Sequence, residues 1–348
     1  MSIQEWIDSD ELAQIQQSFK EGKPAEGCQF CVRNEAVGAP STRLRSIDDY
    51  ADVIYETKID TIDYRANNLC NYKCRSCHAG ASSAWLPDVK SSDLMKKFHP
   101  IIDSKVISNQ EKNRSWILKN ISNLCIVTFA GGEPTIISEI KDACREIAKN
   151  RSKDLRLVII TNGSVFDDFW QSLTAELGPN LVWCVSLDAV GPAAEVIRNG
   201  TKWHQVEKNI HDIAEQGHAL VFNSTISNLN LFHLDPLQDF IRELRDFKKS
   251  QGKPGIQTVK SVWMPKFMNP YNWPEHLSST AIEYLENTIS KETYADSIEW
   301  LSNLKQGIID NDFNQQDWDL HLLYNRELDR LRLEKFEELY PRTKFDHN

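Results

Sequence analysis

The chain has 348 residues, 41% of them hydrophobic, which is enough for one large α/β domain with smaller additions and a sizeable core. Its 50 acidic and 40 basic residues give a formal net charge of -10, which weighs against general nucleic-acid binding and against an electrostatic hold on an anionic membrane. No run reaches the roughly 18 to 20 continuous apolar residues of a membrane span, and the opening Met-Ser-Ile-Gln-Glu-Trp-Ile-Asp lacks the basic start and apolar stretch of a signal peptide, so a soluble, cytoplasmic protein is expected.

Residues 1 to 20 read as one or two short helices, with Trp6 and Ile7, then Leu12, Ile15 and Phe19, at helical spacing around a cap at Asp8, Ser9 or Asp10. Glu21-Gly-Lys-Pro-Ala-Glu-Gly27 breaks the pattern and leads into Cys28-Gln-Phe-Cys31, so residues 1–55 are expected to form a small helical appendage. Lys58 to Arg65 alternates apolar and polar side chains and reads as a strand that ends just before Cys70-Asn-Tyr-Lys-Cys-Arg-Ser-Cys-His78.

From there strand and helix alternate. Leu124–Phe129 is a buried strand, followed by a helix with Ile136, Ile140, Cys144 and Ile147 in its apolar stripe; Leu155–Ile160 is the next strand, with a helix around Phe169–Leu177. Leu181–Leu187 precedes a helix marked by Trp203, Val206, Ile210 and Ile213, and His218–Ile226 and Gln257–Val262 are two further strands separated by a helix from Leu234 to Lys249. Six strands joined in this way make a parallel α/β core over residues 56–275, with right-handed crossovers. Residues 276–348 read as a helical C-terminal extension, with Leu322, Leu328, Leu331 and Phe336 facing the core and the Arg and Glu side chains forming a solvated, ion-paired face.

Ligands in parallel α/β folds sit at the carboxyl ends of the strands. The cysteine loop, Gly131-Gly-Glu-Pro134, Thr161-Asn-Gly163 and Ser186-Leu-Asp188 all fall at such ends and are expected to converge. Trp263 to Trp273, with Met264, Phe267, Met268 and Tyr271, either walls that site or packs as an aromatic plug.

Eight cysteines without an export signal read as reduced thiols, metal ligands or core residues rather than disulfides. Cys125, Cys144 and Cys184 lie in apolar runs and are expected in the core. Cys70, Cys74 and Cys77 share one short loop, and an iron–sulfur cube held by three thiolates keeps one iron open to a small molecule.

Cys70-x-x-x-Cys74-x-x-Cys77 at the end of the first strand, with Gly131-Gly-Glu-Pro134 at the end of the second, resembles the radical S-adenosylmethionine (SAM) superfamily. Glu21-Gly-Lys-Pro-x-x-Gly-Cys-x-x-Cys31, Ile197-Arg-Asn-Gly-Thr-Lys-Trp203 and Leu328-Asp-x-x-Arg with Tyr340-Pro341 look like its twitch-domain branch, relatives of the SPASM maturases. The resemblance implies a partial (β/α)6 barrel in which Cys70, Cys74 and Cys77 hold a 4Fe-4S cluster and SAM fills the open iron through its amino and carboxylate groups. By the same likeness the Gly131-Gly-Glu-Pro134 turn belongs to the SAM site, the backbone around Gly131 and Gly132 and the side chain of Glu133 holding the amino group, while Thr161, Asn162 and Ser186 lie near the ribose and Arg198 pairs with the carboxylate; an ordinary strand-to-helix turn with Pro134 at the first helical position is the alternative. Asp188 and Asn223-Ser-Thr225 are further carry-overs.

The implied chemistry is one-electron cleavage of SAM to methionine and a 5′-deoxyadenosyl radical that abstracts a substrate hydrogen, fed by a donor such as a flavodoxin or ferredoxin. A peptide or protein is the favoured substrate class, with a small molecule or tRNA base as the alternative. Two departures stand out. Ser76 replaces the aromatic or large apolar residue usual before the third cysteine, with Tyr72 placed to substitute, and the cysteines that relatives carry upstream of Cys28 and Cys31 are missing. Cys28 and Cys31 are thus a second candidate metal site, read chiefly as a relic or as free thiols, with a zinc or cluster shared with cysteines of another chain as the alternative. A four-cysteine zinc site from Cys28, Cys31, Cys74 and Cys77 is the non-catalytic alternative, but residues 32 to 73 separate the pairs, against about 15 to 20 residues in compact modules, and Cys70 is left unexplained.

Overall fold

A computed structural model describes residues 2–28, 31–32, 35, 43–44, 59–99, 110–261 and 265–341. Six short strands form one parallel sheet: β1 Thr61–Arg65, β2 Ile126–Ala130, β3 Arg156–Thr161, β4 Leu181–Ser186, β5 Ala219–Thr225 and β6 Ile256–Ser261. Each strand pairs with its predecessor in the chain, in the order β1-β2-β3-β4-β5-β6. Crossovers of one hand that always advance in the same direction keep their helices on one side of a twisted sheet, which curls into the expected partial barrel.

The alternation within each strand sets the two faces. On β4, Trp183 packs edge-on against Trp170 (5.6 Å between ring centroids) and Phe166 (5.4 Å), so Leu181, Trp183 and Val185 face the helices. Val182, Cys184 and Ser186 then point into the barrel.

The first helices are α1 Ile3–Ile7 and α2 Asp10–Lys20, the second capped by Ser9, whose hydroxyl accepts from the Leu12 amide at 3.2 Å. Neither has a fully buried residue, and Trp6 and Phe19 are 40% and 48% exposed, so their apolar spacing does not mark a core face. Next come α3 Leu86–Ser91, α4 Asp93–Phe98 and α5 Gln110–Lys119. The N-terminus is fixed to α5: the Ile3 amide donates to Asn113 Oδ1 and Trp116 Nε1 to Gln4 Oε1.

The helices of the barrel are α6 Ser138–Asn150, α7 Asp168–Leu177, α8 Gly191–Ile197, α9 Trp203–Glu215 and α10 Leu234–Ser250. Ile140, Cys144 and Ile147 are buried on α6, and Val206, Ile210 and Ile213 on α9, at the three- and four-residue spacing that turns one stripe to the sheet. Three helices follow the barrel: α11 Glu275–Lys291, α12 Ala295–Asp310 and α13 Gln315–Arg332. Among the described residues, no helix is long and apolar enough to cross a membrane.

Two expectations change, and one open alternative is resolved. Cys125 is exposed because it precedes β2, where its amide donates to the Asp60 carbonyl, instead of lying inside the strand; Cys144 and Cys184 are buried as expected. Phe267, Met268 and Trp273 are core residues, with Phe267 against Phe98 and Tyr324 and Trp273 against Phe232 and Trp318, so this part of the aromatic segment is a plug; Trp263 and Met264 lie outside the described residues. The charged face of α13 is not simply solvated: the Arg332 side chain is 1% exposed, and Asp329 and the following Glu334 pair with buried Arg75.

Candidate active site

The chain leaves β1 through Ala66 and enters the cysteine loop, which is held by hydrogen bonds from three directions. Ser83 donates its amide to the Asn68 carbonyl (2.7 Å), and Ser82 Oγ donates to the Tyr72 carbonyl (2.5 Å). The Lys73 amide donates to the Asn199 carbonyl (2.9 Å) and the Arg75 amide to the Ile197 carbonyl (2.8 Å). These two bonds straddle Arg198, so the segment after α8 runs alongside the loop. Gly200, at φ 104°, permits that approach: a Cβ there would sit 2.8 Å from the Asn71 carbonyl oxygen and 3.0 Å from the Tyr72 ring.

The glycine turn after β2 meets the start of the same loop. The Glu133 amide donates to the Leu69 carbonyl (2.7 Å), and Gly132, at φ 55°, lies so close that an added Cβ would run into that carbonyl oxygen. Gly132→Ala therefore combines a left-handed backbone cost of about 1 to 2 kcal/mol with a clash that can be relieved only by moving the loop. The expected outcome is a lower melting temperature and weaker metal loading, read by thermal unfolding and iron assay; an alanine variant matching wild type in both would remove this close contact from the account.

Glu133 is 1% exposed, and its carboxylate is fully engaged by the chain itself. Oε1 accepts from the Thr135 amide (3.0 Å), Thr135 Oγ1 (2.6 Å) and Thr161 Oγ1 (2.7 Å), and Oε2 accepts from the Asn162 amide (2.6 Å). Burial pushes its carboxyl up, against these donors. The Glu133 carboxylate thus ties the glycine turn to the end of β3. Asn162 continues the link, donating from Nδ2 to Asn71 Oδ1 (2.9 Å) on the cysteine loop. Pro134 opens a short 3-10 turn that leads into α6.

At the end of β4, Asp188 is buried and its Oδ2 pairs with Arg198 Nη1 at 2.9 Å, while Oδ1 accepts from the Thr225 amide at 2.8 Å. Asn230 Nδ2 donates to the Asp188 carbonyl (2.8 Å) and fixes the turn. Among the described residues, Arg198 Nε is buried without a partner. Burial works against its charge, but Cys74, Asp188 and Tyr72 more than offset this and raise its pKa. Ser186, the last residue of the same strand, is half-buried on the barrel-facing side.

The Cys70, Cys74 and Cys77 thiols share one loop and similar surroundings. Burial raises all three, Cys74 to about 12, while the Arg198 charge pulls each of them down. Cys74 is pushed up further by both Cys77 and Cys70, and Cys77 by Cys70. Three thiols on one short loop, a guanidinium with a buried unused donor, and two positive-φ glycines that bring backbone close to that loop form a set that fits a three-thiolate cluster with a charged ligand beside it. Among the described residues, no three His, Cys, Asp or Glu side chains are drawn together tightly enough for a single metal ion, and no zinc site joins Cys28 and Cys31 to Cys74 and Cys77. Cys28 and Cys31 are free, half-buried thiols.

The structure therefore brings Cys70, Cys74, Cys77, Gly131, Gly132, Glu133, Pro134, Thr161, Asn162, Ser186, Asp188, Arg198 and Thr225 to the carboxyl ends of neighbouring strands. Asn71, Arg75 and Gly200 stand inside the motifs quoted from the sequence, but sequence reasoning assigns none of them a role of its own. Gly200 carried a signal, a glycine outside any helix three residues before an amphipathic one.

The radical SAM superfamily model matches residues 64–247, more than half of the chain. No curated protein matches it. Among solved structures it is similar to "Native anSMEcpe with bound AdoMet", at 16% identity over 66% of this chain and 59% of that one, with a TM-score of 0.40. It is also similar to Streptococcus suis SuiB bound to S-adenosylmethionine (13% identity, 76% and 63% coverage, TM-score 0.39) and to the same protein bound to precursor peptide SuiA (13%, 89% and 67%, 0.39). The match thus spans less than two thirds of the length of the first of these proteins. By its superfamily match the chain belongs to the radical SAM superfamily, enzymes whose cofactors are a 4Fe-4S cluster and S-adenosylmethionine.

Proposed function

We propose that Cys70, Cys74 and Cys77 hold the 4Fe-4S cluster, that SAM lies against the glycine turn and Arg198, and that the enzyme modifies a peptide or protein by hydrogen abstraction. What supports the assignment is geometry: Cys70, Cys74 and Cys77 share one short loop clasped between Gly132 and Gly200, with Arg198, paired to Asp188, running alongside it. The bound cluster and SAM supply the radical chemistry, namely one-electron cleavage of the sulfonium to a 5′-deoxyadenosyl radical.

The residues of the chain bind and orient. Arg198, held on one side by Asp188, has Nε free to donate to a ligand carboxylate, and its planar guanidinium suits that partner. The Glu133 carboxylate has four internal donors, so it acts by fixing Thr161 and Asn162 relative to the glycine turn. An amino group of the ligand is then left to backbone carbonyls around Gly131 and Gly132. Ser186, with Thr161 and Asn162, lies at the strand ends where the ribose contacts are assigned, and Thr225 is tied to Asp188 through its amide. Tyr72 is buried, with its hydroxyl pushed up to about 12 by burial, and takes the packing role on the cluster side that Ser76 is too small to fill.

The peptide class rests on the likeness of the Glu21–Cys31, Ile197–Trp203 and Leu328–Pro341 segments to the twitch-domain branch, which is an analogy of family and not of site. A flavodoxin or ferredoxin is the matching electron donor. Residues 1–55, 56–275 and 276–348 are the corresponding appendage, core and extension.

After anaerobic reconstitution and chemical reduction, the wild-type chain should release 5′-deoxyadenosine and methionine from SAM, and Cys70→Ala/Cys74→Ala/Cys77→Ala should release neither. Equal release by both proteins would sink the assignment.

A further inference from the structure

Between two of the three clustered cysteines the chain carries a fully buried arginine. Arg75 has a side-chain exposure of 0%, and its guanidinium is met on every side. Nε donates to the Val196 carbonyl (3.3 Å), Nη1 to Asn325 Oδ1 (3.0 Å) and the Asn325 carbonyl (3.3 Å), and Nη2 to Asp329 Oδ1 (2.5 Å) and Glu334 Oε2 (2.7 Å). Its carbonyl accepts from Tyr324 Oη at 3.1 Å. Glu334 also accepts from Asn199 Nδ2, beside Arg198. The other neighbour of Cys74 is anchored too: Lys73 Nζ pairs with Asp88 Oδ1 (2.9 Å), whose Oδ2 pairs with Arg332 Nε (2.8 Å). Both residues flanking Cys74 are therefore tied, directly or through one carboxylate, to the last turns of α13 and the residue just beyond it.

Nothing in the chemistry of three thiolates calls for this. A loop of small or apolar residues would carry the cysteines without burying a cation, and a buried cation is tolerated only where its partners are complete. The fork of an arginine can hold two carboxylates and an amide at fixed angles, which a lysine cannot do. Such a knot sets the position of the backbone at residue 75, and with it the span from Cys74 to Cys77.

We propose that Arg75 is a positioning residue and that the end of α13, through Asn325, Asp329 and Glu334, clamps the cysteine loop and tunes the cluster bound there. The inference rests on Cys70, Cys74 and Cys77 being the ligands. Its prediction goes beyond stability. The charge around an iron–sulfur cluster helps set its reduction potential, so removing one carboxylate beside the loop should make the cluster easier to reduce.

The test uses the full chain with Arg75→Met, Arg75→Lys and Glu334→Gln, each compared with wild type. In the cluster-free proteins, alkylation of Cys74 and Cys77 is timed by peptide mass spectrometry. After reconstitution, iron per chain and the midpoint potential are measured by EPR-monitored titration. Arg75→Met should alkylate several-fold faster at both cysteines and retain several-fold less iron, with Arg75→Lys between it and wild type. Glu334→Gln, which keeps shape and one hydrogen bond, should retain most of its iron and titrate at a higher potential.

Wild-type alkylation rates in Arg75→Met would overturn the clamp. A lower iron content with an unchanged potential in both Arg75→Lys and Glu334→Gln would reduce Arg75 to a general packing role and overturn the tuning. Should Arg75→Met fail to fold, Arg75→Lys and Glu334→Gln decide the matter. Failure of the ligand assignment is recognised separately, by a wild-type cluster in the triple cysteine variant, and the alkylation rates still judge the clamp in that case.

Discussion

Glu133→Ala is expected to destabilise the chain by several kcal/mol and to loosen the ends of β2 and β3 together. The substitution removes the acceptor of four hydrogen bonds, from the Thr135 amide and hydroxyl, the Thr161 hydroxyl and the Asn162 amide, in a place with 1% exposure. A buried donor left without a partner costs about 1 to 3 kcal/mol, and water admitted to the cavity recovers part of it. Against a total stability of roughly 5 to 15 kcal/mol for a folded domain, that is a large fraction. Glu133→Gln separates charge from geometry. Its amide nitrogen would face either the Asn162 amide or the donors now shared by Oε1, so one donor pair is set in opposition and an intermediate loss is expected. Urea unfolding of the three proteins checks the order wild type, Gln, Ala. A Glu133→Ala midpoint equal to wild type would show that this carboxylate is not the tie between the glycine turn and β3.

The barrel was legible because its signals are local. Each strand from Leu124 onward is short, apolar and bounded by turn residues, and each following helix shows its stripe at three- and four-residue spacing, so the positions of β2 to β6 differ from expectation by a residue or two. Once the strands are parallel and sequential, their carboxyl ends must be neighbours, which brings the cysteine loop, the glycine turn, Thr161, Ser186 and Asp188 together.

The short α8, with Gly191 and Pro192 opening it, was missed, since seven residues hold too little periodicity to register. Other misses have a different cause. Nothing near Arg75 in sequence tells that its partners are Asp329 and Glu334, some 254 and 259 positions away, nor that the charges of α13 turn inward there. Helical spacing of Arg and Glu describes a charged face but not what the face meets. For Glu133 the type of residue was right and its orientation was not readable: a carboxylate at a strand end serves equally well to bind a ligand or to tie two turns.

Acid should undo the same C-terminal docking, because two buried histidines stand under it in their neutral form. His321 is 0% exposed, with Nε2 2.8 Å from Tyr340 Oη and Nδ1 3.3 Å from Asn325 Nδ2; burial, with the Arg75 charge nearby, drops its pKa from 6.5 to about 3. His99 lies between Trp85 and Tyr324, with Nε2 3.1 Å from Tyr324 Oη, and burial followed by the charges of His78 and Arg332 lowers it to about 4. Both folded values fall below the unfolded one, so in acid the unfolded chain takes up protons that the folded chain refuses. Stability from these groups is complete above about pH 6.5 and is lost as the pH falls through 6 and 5 toward the folded values. Each unit of separation is worth up to about 1.4 kcal/mol per group, so acidification to about pH 4.5 should remove several kcal/mol. The loss has a direction within the fold. With Asn325 Nδ2 as donor, His321 Nδ1 is the acceptor, so protonating it sets two donors face to face on the residue whose Oδ1 holds Arg75. Denaturant midpoints of wild type and His321→Gln between pH 7 and pH 4.5 check the expectation: the variant should start lower and show a shallower decline with acid. Parallel declines in the two proteins would mean that His321 stays neutral in the unfolded chain or titrates normally in the folded one, and either result removes it as the source of the acid sensitivity.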